Sequence, residues 1–279
     1  MPMISVNGTR LHYEDGGPGG EPVLFSHGLL WNTSLFAPQM ASLSDRYRPI
    51  AYDHRGQGQS ADHDGPEIGM DLLTEDAAAL ISGLNLGPVH FCGLSMGGFV
   101  GMRLAARYPD LVRSLILCDT SAEAEVSENR PRYRLLCALS RWLGPRMIAA
   151  RVMPIMHGRT ALSDPARGAE RAFWLAQVAG NRRSIWRAIN GVINRAAVID
   201  ELPRITAPTL VIVGEEDVAT RPEKSERIAK AIAGARLVRI PGAGHSSTVE
   251  QPAAVTAAIR EFLEDVTAAG ERPEGQQVL

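Results

Sequence analysis

The residues best suited to chemistry lie in a glycine-rich segment, residues 93–98, which reads Gly-Leu-Ser-Met-Gly-Gly. Ser95 occupies the centre of a G-x-S-x-G pattern, with an apolar run from Val89 before it and an apparent helix over residues 99–108 after it. By itself the pattern fits any glycine-rich turn. In this context it predicts a tight, strained strand-to-helix turn that presents the Ser95 hydroxyl to solvent as a nucleophile.

A base and an acid follow at later predicted strand ends. His245 lies in a Gly-x-Gly-His loop after the last strand, and acidic residues crowd positions 215–217 after the strand before it. A serine hydroxyl needs a base to take its proton, and a carboxylate holds that base in the correct tautomer. We expect Asp217 to be the acid, with Asp119 at an earlier strand end as its competitor. The order Ser, Asp, His is typical of α/β sheets that carry a nucleophile turn.

A second glycine predicts where the negative charge of an acyl-transfer reaction would be stabilised. The strand over residues 22–26 leads into His27 and Gly28, and glycine lets the backbone approach a reacting group closely. We expect the backbone N–H groups of Leu29 and Met96 to form the oxyanion hole. His27 itself is expected to bond within its own loop and not to act as a base.

Apolar runs alternate with amphipathic segments over most of the chain, which predicts a mostly parallel sheet with helices on both faces. The predicted strands are residues 4–6, 10–14, 22–26, 48–52, 89–94, 113–118, 207–214 and 236–240, and the predicted helices are residues 34–44, 71–84, 99–108, 222–233 and 251–266. The alternation stops over residues 122–200, where helix-like stretches are broken by residues such as Pro154 and Gly180. We therefore predict a core of residues 1–121 and 201–266, a helical cap over 122–200 and a frayed tail over 267–279.

Charge separates the predicted cap from the core. The cap contains 13 arginines, no lysine and six acidic residues, a net charge of +7, whereas the rest of the chain carries −9. The simpler interpretation is solvated helix faces whose arginine stems cover apolar surface. The alternative is a positive lid that attracts an anionic substrate.

Apolar residues of the cap are candidates for the wall of a substrate pocket, although such residues more often pack inside the cap. The candidates are Trp142, Met147, Met153, Met156, Phe173, Trp174 and Leu175.

Composition excludes several classes of function. The 279 residues have a mean hydropathy of −0.07, a net charge of −2 and no polybasic block, which gives no basis for binding nucleic acid or an anionic membrane. No apolar run could span a bilayer, and the N-terminus has no signal-peptide pattern, so we expect a cytoplasmic protein. Cys92, Cys118 and Cys137 lack metal-type spacing and are expected to be buried free thiols.

Taken together, the motifs resemble the α/β-hydrolase superfamily. The segments that carry the resemblance are residues 26–28, 53–60 (Asp-His-Arg-Gly-Gln-Gly-Gln-Ser), 93–98, 214–217 and 244–245. The resemblance implies an eight-stranded sheet, a helical cap after the sixth strand and no cofactor. Dehalogenase and epoxide hydrolase branches place aspartate where this chain has Ser95. The sequence is most similar to small bacterial carboxylesterases and 3-oxoadipate enol-lactonases.

These observations predict a serine carboxylesterase that acts on a small ester of short to medium chain length. Three alternatives stay open: hydrolysis of an anionic enol-lactone, a perhydrolase or haloperoxidase side activity, and a non-catalytic ligand receptor on the same fold. The sequence does not decide between a monomer and a homo-oligomer.

Overall fold

The computed structural model describes residues 2–270 and contains one eight-stranded sheet in the order β1-β2-β4-β3-β5-β6-β7-β8. The β1–β2 and β2–β4 pairs are antiparallel and the other five pairs are parallel, so β2 alone runs opposite to the rest of the sheet. The strands are β1 (Met3–Val6), β2 (Thr9–Asp15), β3 (Pro22–Ser26), β4 (Arg48–Tyr52), β5 (Val89–Leu94), β6 (Val112–Cys118), β7 (Thr209–Gly214) and β8 (Arg236–Ile240). The predicted fold class is therefore confirmed.

Burial follows position in the sheet. Every residue of β5 and β7 is buried, as expected for parallel strands that are covered on both faces. The edge strand β1 alternates between exposed and half-buried residues, whereas its hairpin partner β2 buries Leu11 and His12. The hairpin turns at Asn7 and Gly8, whose φ angles of 45° and 67° match the left-handed backbone that an Asn-Gly hairpin turn requires.

The helices cover the sheet and fill the long connection between β6 and β7. They are α1 (Ala37–Leu43), α2 (Met70–Gly83), α3 (Met96–Arg107), α4 (Arg130–Leu143), α5 (Arg146–Met156), α6 (Arg159–Ser163), α7 (Gly168–Gly180), α8 (Trp186–Ile193), α9 (Pro222–Ala231), α10 (Ser247–Glu250) and α11 (Pro252–Gly270). Helices α2 and α3 pack together, as do α1 and α11. Helices α4 to α8, called the helical insertion below, follow the sixth strand.

Several helix predictions differ from the structure: α3 begins three residues earlier than predicted, directly after Ser95, and α9 ends two residues earlier, at Ala231. The segment predicted as one helix over 34–44 begins as a 3-10 helix (Thr33–Phe36) and continues as α1, with Pro38 in its first turn. Pro154 does not break a helix but lies in the last turns of α5. Proline lacks the N–H that would donate to the carbonyl four residues earlier, so the helix loses one hydrogen bond here, and α5 continues for only two more residues, to Met156.

The last helix is longer than predicted. Helix α11 extends to Gly270, so Thr267 continues the helix instead of beginning a frayed tail. The rest of the predicted tail, residues 271–279, lies outside the described residues. Within residues 2–270, no helix has the length and the hydropathy that crossing a membrane requires.

Candidate active site

The candidate nucleophile lies in the turn between β5 and α3. Ser95 has a φ of 52° and a ψ of −109°, a strained conformation for a residue with a side chain. A Cβ on Gly93 would lie 2.3 Å from the Gly97 carbonyl oxygen, and one on Gly97 would lie 1.9 Å from that of Ser26. Only glycine fits at either position, so these two residues allow the tight turn around Ser95.

Ser95 does not face open solvent as the sequence predicts. Its relative exposure is 8%, because the residue opens into a cavity between the sheet and the helical insertion. The prediction of a solvent-facing hydroxyl is based on the turn alone. In the structure, helices of the insertion cover the Ser95 hydroxyl.

The three predicted catalytic residues meet beneath the cavity, which Ser95 and His245 line and behind which Asp217 is buried. His245 Nε2 lies 2.9 Å from Ser95 Oγ, and His245 Nδ1 lies 2.9 Å from Asp217 Oδ2. Asp217 also accepts hydrogen bonds from the Ala219 and Thr220 N–H groups and from the Thr220 hydroxyl. The carboxylate is thus fixed from several sides and can hold the imidazole with Nε2 towards the serine.

The electrostatics of this pair suit a base at neutral pH. Burial alone would lower the pKa of His245, but the neighbouring Asp217 carboxylate outweighs it and raises that pKa above its usual value. Burial alone would raise the pKa of Asp217, yet His245 and the Thr220 hydrogen bonds keep it below the usual value. An ionised aspartate beside an imidazole of raised pKa favours proton transfer from a serine hydroxyl.

The competing acids lie elsewhere. Asp119 Oδ1 accepts from the Gly214 N–H at 2.8 Å, and its Oδ2 accepts from the Ser247 hydroxyl at 2.5 Å. Asp119 therefore connects two neighbouring loops and has no hydrogen bond to His245 among the described residues. Glu216 turns outward and accepts from the N–H and the hydroxyl of Thr160.

The loop after β3 is held rigidly beside Ser95. His27 Nδ1 lies 2.7 Å from the Gly28 carbonyl oxygen, and its Nε2 accepts from the His54 N–H at 3.1 Å. Burial lowers the pKa of His27, so the ring is neutral. Gln57 Oε1 accepts from the Leu30 N–H at 2.9 Å. His27 thus lies within its own loop, away from the position of a base.

The backbone N–H groups of Leu29 and Met96, which the sequence predicts as the oxyanion hole, have no hydrogen-bond acceptor among the described residues. A Cβ on Gly28 would lie 3.4 Å from Ser95 Cβ, so the two loops are in contact beside the hydroxyl. Two unpaired backbone donors beside a nucleophile are the arrangement that an oxyanion requires.

The cavity above Ser95 is small and mainly apolar, with a volume of about 110 Å³. Its wall differs from the predicted one. The residues that line it are Leu29, Leu30, Ser95, Phe99, Glu125, Tyr133, Leu136, Ile148, Val152, Ile155, Met156, Ile189, Val192, Ile193, Arg195, Ala219, Thr220 and His245.

Of the candidate wall residues, only Met156 lines the cavity. Met153 and Trp174 are buried in packing, and the Trp174 ring meets the Trp31 ring edge-on at 5.1 Å. Four candidates are exposed and are corrected here as surface residues: Trp142, Met147, Phe173 and Leu175. Apolar character alone did not distinguish a helix face that meets the cavity from one that meets solvent.

The arginines of the insertion mostly lie away from the cavity. Arg182 donates to the Ser60 carbonyl, Arg187 donates to the Gly65 carbonyl, and Arg167 pairs with Glu170. Of the 13 arginines over residues 122–200, only Arg195, which follows α8, lines the cavity. Arg182, Arg187 and Arg167 therefore serve in contacts outside the cavity, which differ both from simple solvated helix faces and from a positive lid over the site.

Glu250 is a residue that sequence reasoning missed. Its buried carboxylate accepts from the Gly158 N–H of the insertion and from the Gly244 and Ser246 N–H groups on either side of His245. It thus connects the insertion to the loop of the candidate base. A buried acid five residues after a histidine gives no distinctive sequence signal, since its partners are backbone groups.

All three cysteines are free and buried, as predicted. No three His, Cys, Asp or Glu side chains among the described residues lie close enough together to hold a metal ion.

Comparison with known proteins agrees with this architecture. A family model described as "Alpha/beta hydrolase family" matches residues 23–259. This chain belongs to the alpha/beta hydrolase family. As an alpha/beta hydrolase, it is 29% identical over 275 residues to 3-oxoadipate enol-lactonase 2 of Acinetobacter baylyi, with 93% of this chain and 95% of that protein covered.

Two solved structures are similar over nearly the whole alpha/beta hydrolase chain. The enol-lactonase of Burkholderia xenovorans LB400 is 32% identical with a TM-score of 0.88, covering 94% of this chain and 100% of that one. A thermophilic esterase of Thermogutta terrifontis is 33% identical, also with a TM-score of 0.88, covering 95% and 99%. Relatives of similar distance thus carry different activities.

Proposed function

We propose that the protein is a serine carboxylesterase that hydrolyses short- to medium-chain esters through an acyl-enzyme. Ser95 Oγ attacks the ester carbonyl while His245 Nε2 takes its proton, and Asp217 stabilises the imidazolium. The Leu29 and Met96 N–H groups hold the oxyanion. His245 gives that proton to the departing alcohol. A water molecule then attacks the acyl carbonyl while His245 takes its proton, and His245 passes that proton to Ser95 Oγ as the acid leaves.

One observation carries this proposal: the hydrogen-bonded chain from Ser95 through His245 to Asp217 opens directly into an apolar cavity. A nucleophile with its base supports acyl transfer, and a hydrocarbon wall supports binding of an uncharged chain. The small volume of the cavity supports a chain of short or medium length.

A second candidate is hydrolysis of an anionic enol-lactone. It is supported by similarity to enol-lactonases, both in sequence and in structure. The same three side chains would open the lactone ring by the same steps, so the two candidates differ in what the cavity binds.

The test is hydrolysis of p-nitrophenyl esters of increasing acyl length, measured beside an anionic enol-lactone. We expect ester turnover that peaks at short to medium chains and falls at least about 10³-fold in Ser95→Ala. Ser44→Ala, which alters an exposed hydroxyl that bonds only to the Ala41 carbonyl, is the matched control. A folded Ser95→Ala variant with near-wild-type rates would contradict the proposal, and fast lactone opening with feeble ester turnover would favour the second candidate.

A further inference from the structure

One part of the cavity wall is polar. Arg195, Glu125 and Tyr133 form it, and we call these three side chains the polar patch. The Arg195 guanidinium carbon lies 4.5 Å from the centre of the Phe99 ring. Phe99 follows Ser95 by about one turn of α3, which is about 5.4 Å of rise. A chain bound at Ser95 would therefore reach the polar patch.

The charges of the polar patch cancel. Arg195 Nη1 donates to Glu125 Oε2 at 2.9 Å, and these side chains are only 3% and 8% exposed. Arg195 Nε donates to the Glu123 carbonyl at 3.1 Å. Because a guanidinium stays protonated at any ordinary pH, the pair presents one fixed cation against one carboxylate. Arg195 is thus not an open site for an anion.

Two hydrogen-bond donors of the polar patch remain unused. Arg195 Nη2 and the Tyr133 hydroxyl have no acceptor among residues 2–270. Burial, and next the Glu125 carboxylate, raise the pKa of Tyr133, so its hydroxyl keeps the proton that it can donate. Unpaired donors in a mainly apolar wall favour a ligand that brings an acceptor without a charge.

We propose that the polar patch selects esters whose chain carries an uncharged oxygen, such as a ketone, hydroxyl or ether, and that Glu125 excludes chains ending in a carboxylate. This inference rests on the proposed esterase function. Because Glu125 already neutralises Arg195, the polar patch offers a carboxylate no net positive charge to offset the cost of its burial, and Glu125 repels it in a buried site where salt screens little. An ammonium group gains no net charge from the neutral pair either, and a purely hydrocarbon chain would leave both donors unpaired.

The test compares p-nitrophenyl esters of matched length. The four substrates are the hexanoate, its analogue with a ketone on the penultimate carbon, the adipate half-ester with its free carboxylate, and the methyl ester of that adipate. A parallel set places the same end groups on the alcohol side of acetate esters, so that either orientation in the cavity is sampled. For the wild-type enzyme we expect kcat/KM to be highest for the ketone and at least about tenfold lower for the carboxylate than for its methyl ester, a difference of about 1.4 kcal/mol.

Glu125→Gln removes the charge and keeps the shape of the side chain. We expect this variant to raise the ratio of carboxylate to methyl ester by about tenfold or more, since Arg195 is then available to the anion. Glu128→Gln is the matched control, because it makes the same charge change at an exposed residue outside the cavity wall. It should leave the ratio unchanged. Tyr133→Phe should lower the ratio of ketone to hexanoate.

The outcomes separate the two proposals. Wild-type enzyme that hydrolyses none of these esters would overturn the esterase function itself. Wild-type enzyme that hydrolyses them but accepts the carboxylate as well as the methyl ester would overturn the role of the polar patch alone, whether or not the variants fold. An unchanged ratio in folded Glu125→Gln would overturn it equally.

Discussion

The sheet and the helical insertion differ in how firmly they hold their functional side chains. At the strand ends, each candidate catalytic group has several partners: Asp217 receives three hydrogen bonds in addition to His245, and Ser95 is fixed by a strained turn. In the insertion, large apolar side chains such as Trp142 and Leu135 lie exposed, while neighbouring ones line the cavity. The difference indicates that changes at the strand ends should alter the rate, and changes in the insertion should alter substrate preference.

The largest effect is expected at the strand ends, from Asp217→Asn. Loss of the carboxylate should lower kcat by about 10⁴-fold, because the imidazole loses both its orientation and the charge that stabilises its protonated form. The pH profile gives a second readout. Asp217 raises the pKa of His245, so wild-type kcat/KM should fall as pH drops through a value above the usual imidazole range.

In Asp217→Asn that acid limb should move to lower pH, since the raising charge is gone while burial still lowers the pKa of His245. Glu216→Gln is the matched control, because Glu216 belongs to the same loop but binds Thr160. If the residual activity of Asp217→Asn falls at the same acidic pH as that of the wild-type enzyme, Asp217 does not act on His245.

A smaller effect is expected where the two regions meet, at Glu250. Glu250→Gln replaces one carboxylate oxygen by an amide nitrogen. This nitrogen cannot accept a hydrogen bond from the backbone N–H groups that the carboxylate binds around His245. We expect a loss of about 1 to 3 kcal/mol in the free energy of unfolding. Displacement of the His245 loop should also lower kcat by about tenfold, since small misplacements of a catalytic group slow the chemistry.

Urea unfolding and ester kinetics measure these two effects of Glu250→Gln separately. If stability falls while kcat stays at the wild-type value, Glu250 supports the fold without positioning His245.

Within the insertion, Leu136→Ala should change substrate preference more than rate. Leu136 lines the cavity, so its truncation should make room for a longer acyl chain. Relative to the wild-type enzyme, kcat/KM for the longer ester should rise by about tenfold or more for each methylene group that the new space accommodates. Leu135→Ala is the adjacent control, because Leu135 is 61% exposed. Equal chain-length profiles for both variants would contradict the assigned cavity wall.

The smallest effect is expected from Trp142→Ala. The Trp142 side chain is 69% exposed and contacts the Arg141 guanidinium at the surface. We expect stability to change by no more than about 0.5 kcal/mol and the acyl-length profile to stay the same. A large shift in that profile would mean that the insertion folds over the site differently from the structure described.

The strand ends were predictable because each presents a local signal. An apolar run stops and is followed by glycine and a reactive side chain, as before Ser95, Asp217 and His245. Parallel strands bring their carboxyl ends to one edge of the sheet. Residues that follow different strands therefore lie close together in space although they are far apart in the sequence.

The cavity wall was not predictable in the same way. Leu135 and Leu136 are identical in type and adjacent in sequence, yet one faces solvent and the other the cavity, which only the packing of helix α4 decides. Glu125 and Arg195 pair across 70 residues without any local pattern. The partners of Glu250 are backbone N–H groups, which every residue except proline has, so the sequence gives no sign of which ones it binds.

The most direct test of the account is labelling by a fluorophosphonate, which reacts with a serine that has been activated by its base. Mass spectrometry of the labelled protein should locate one adduct on Ser95, with slower labelling in Asp217→Asn and none in Ser95→Ala. Folded wild-type protein that stays unlabelled, or that carries the label on another serine, would contradict the assignment of Ser95 as the nucleophile.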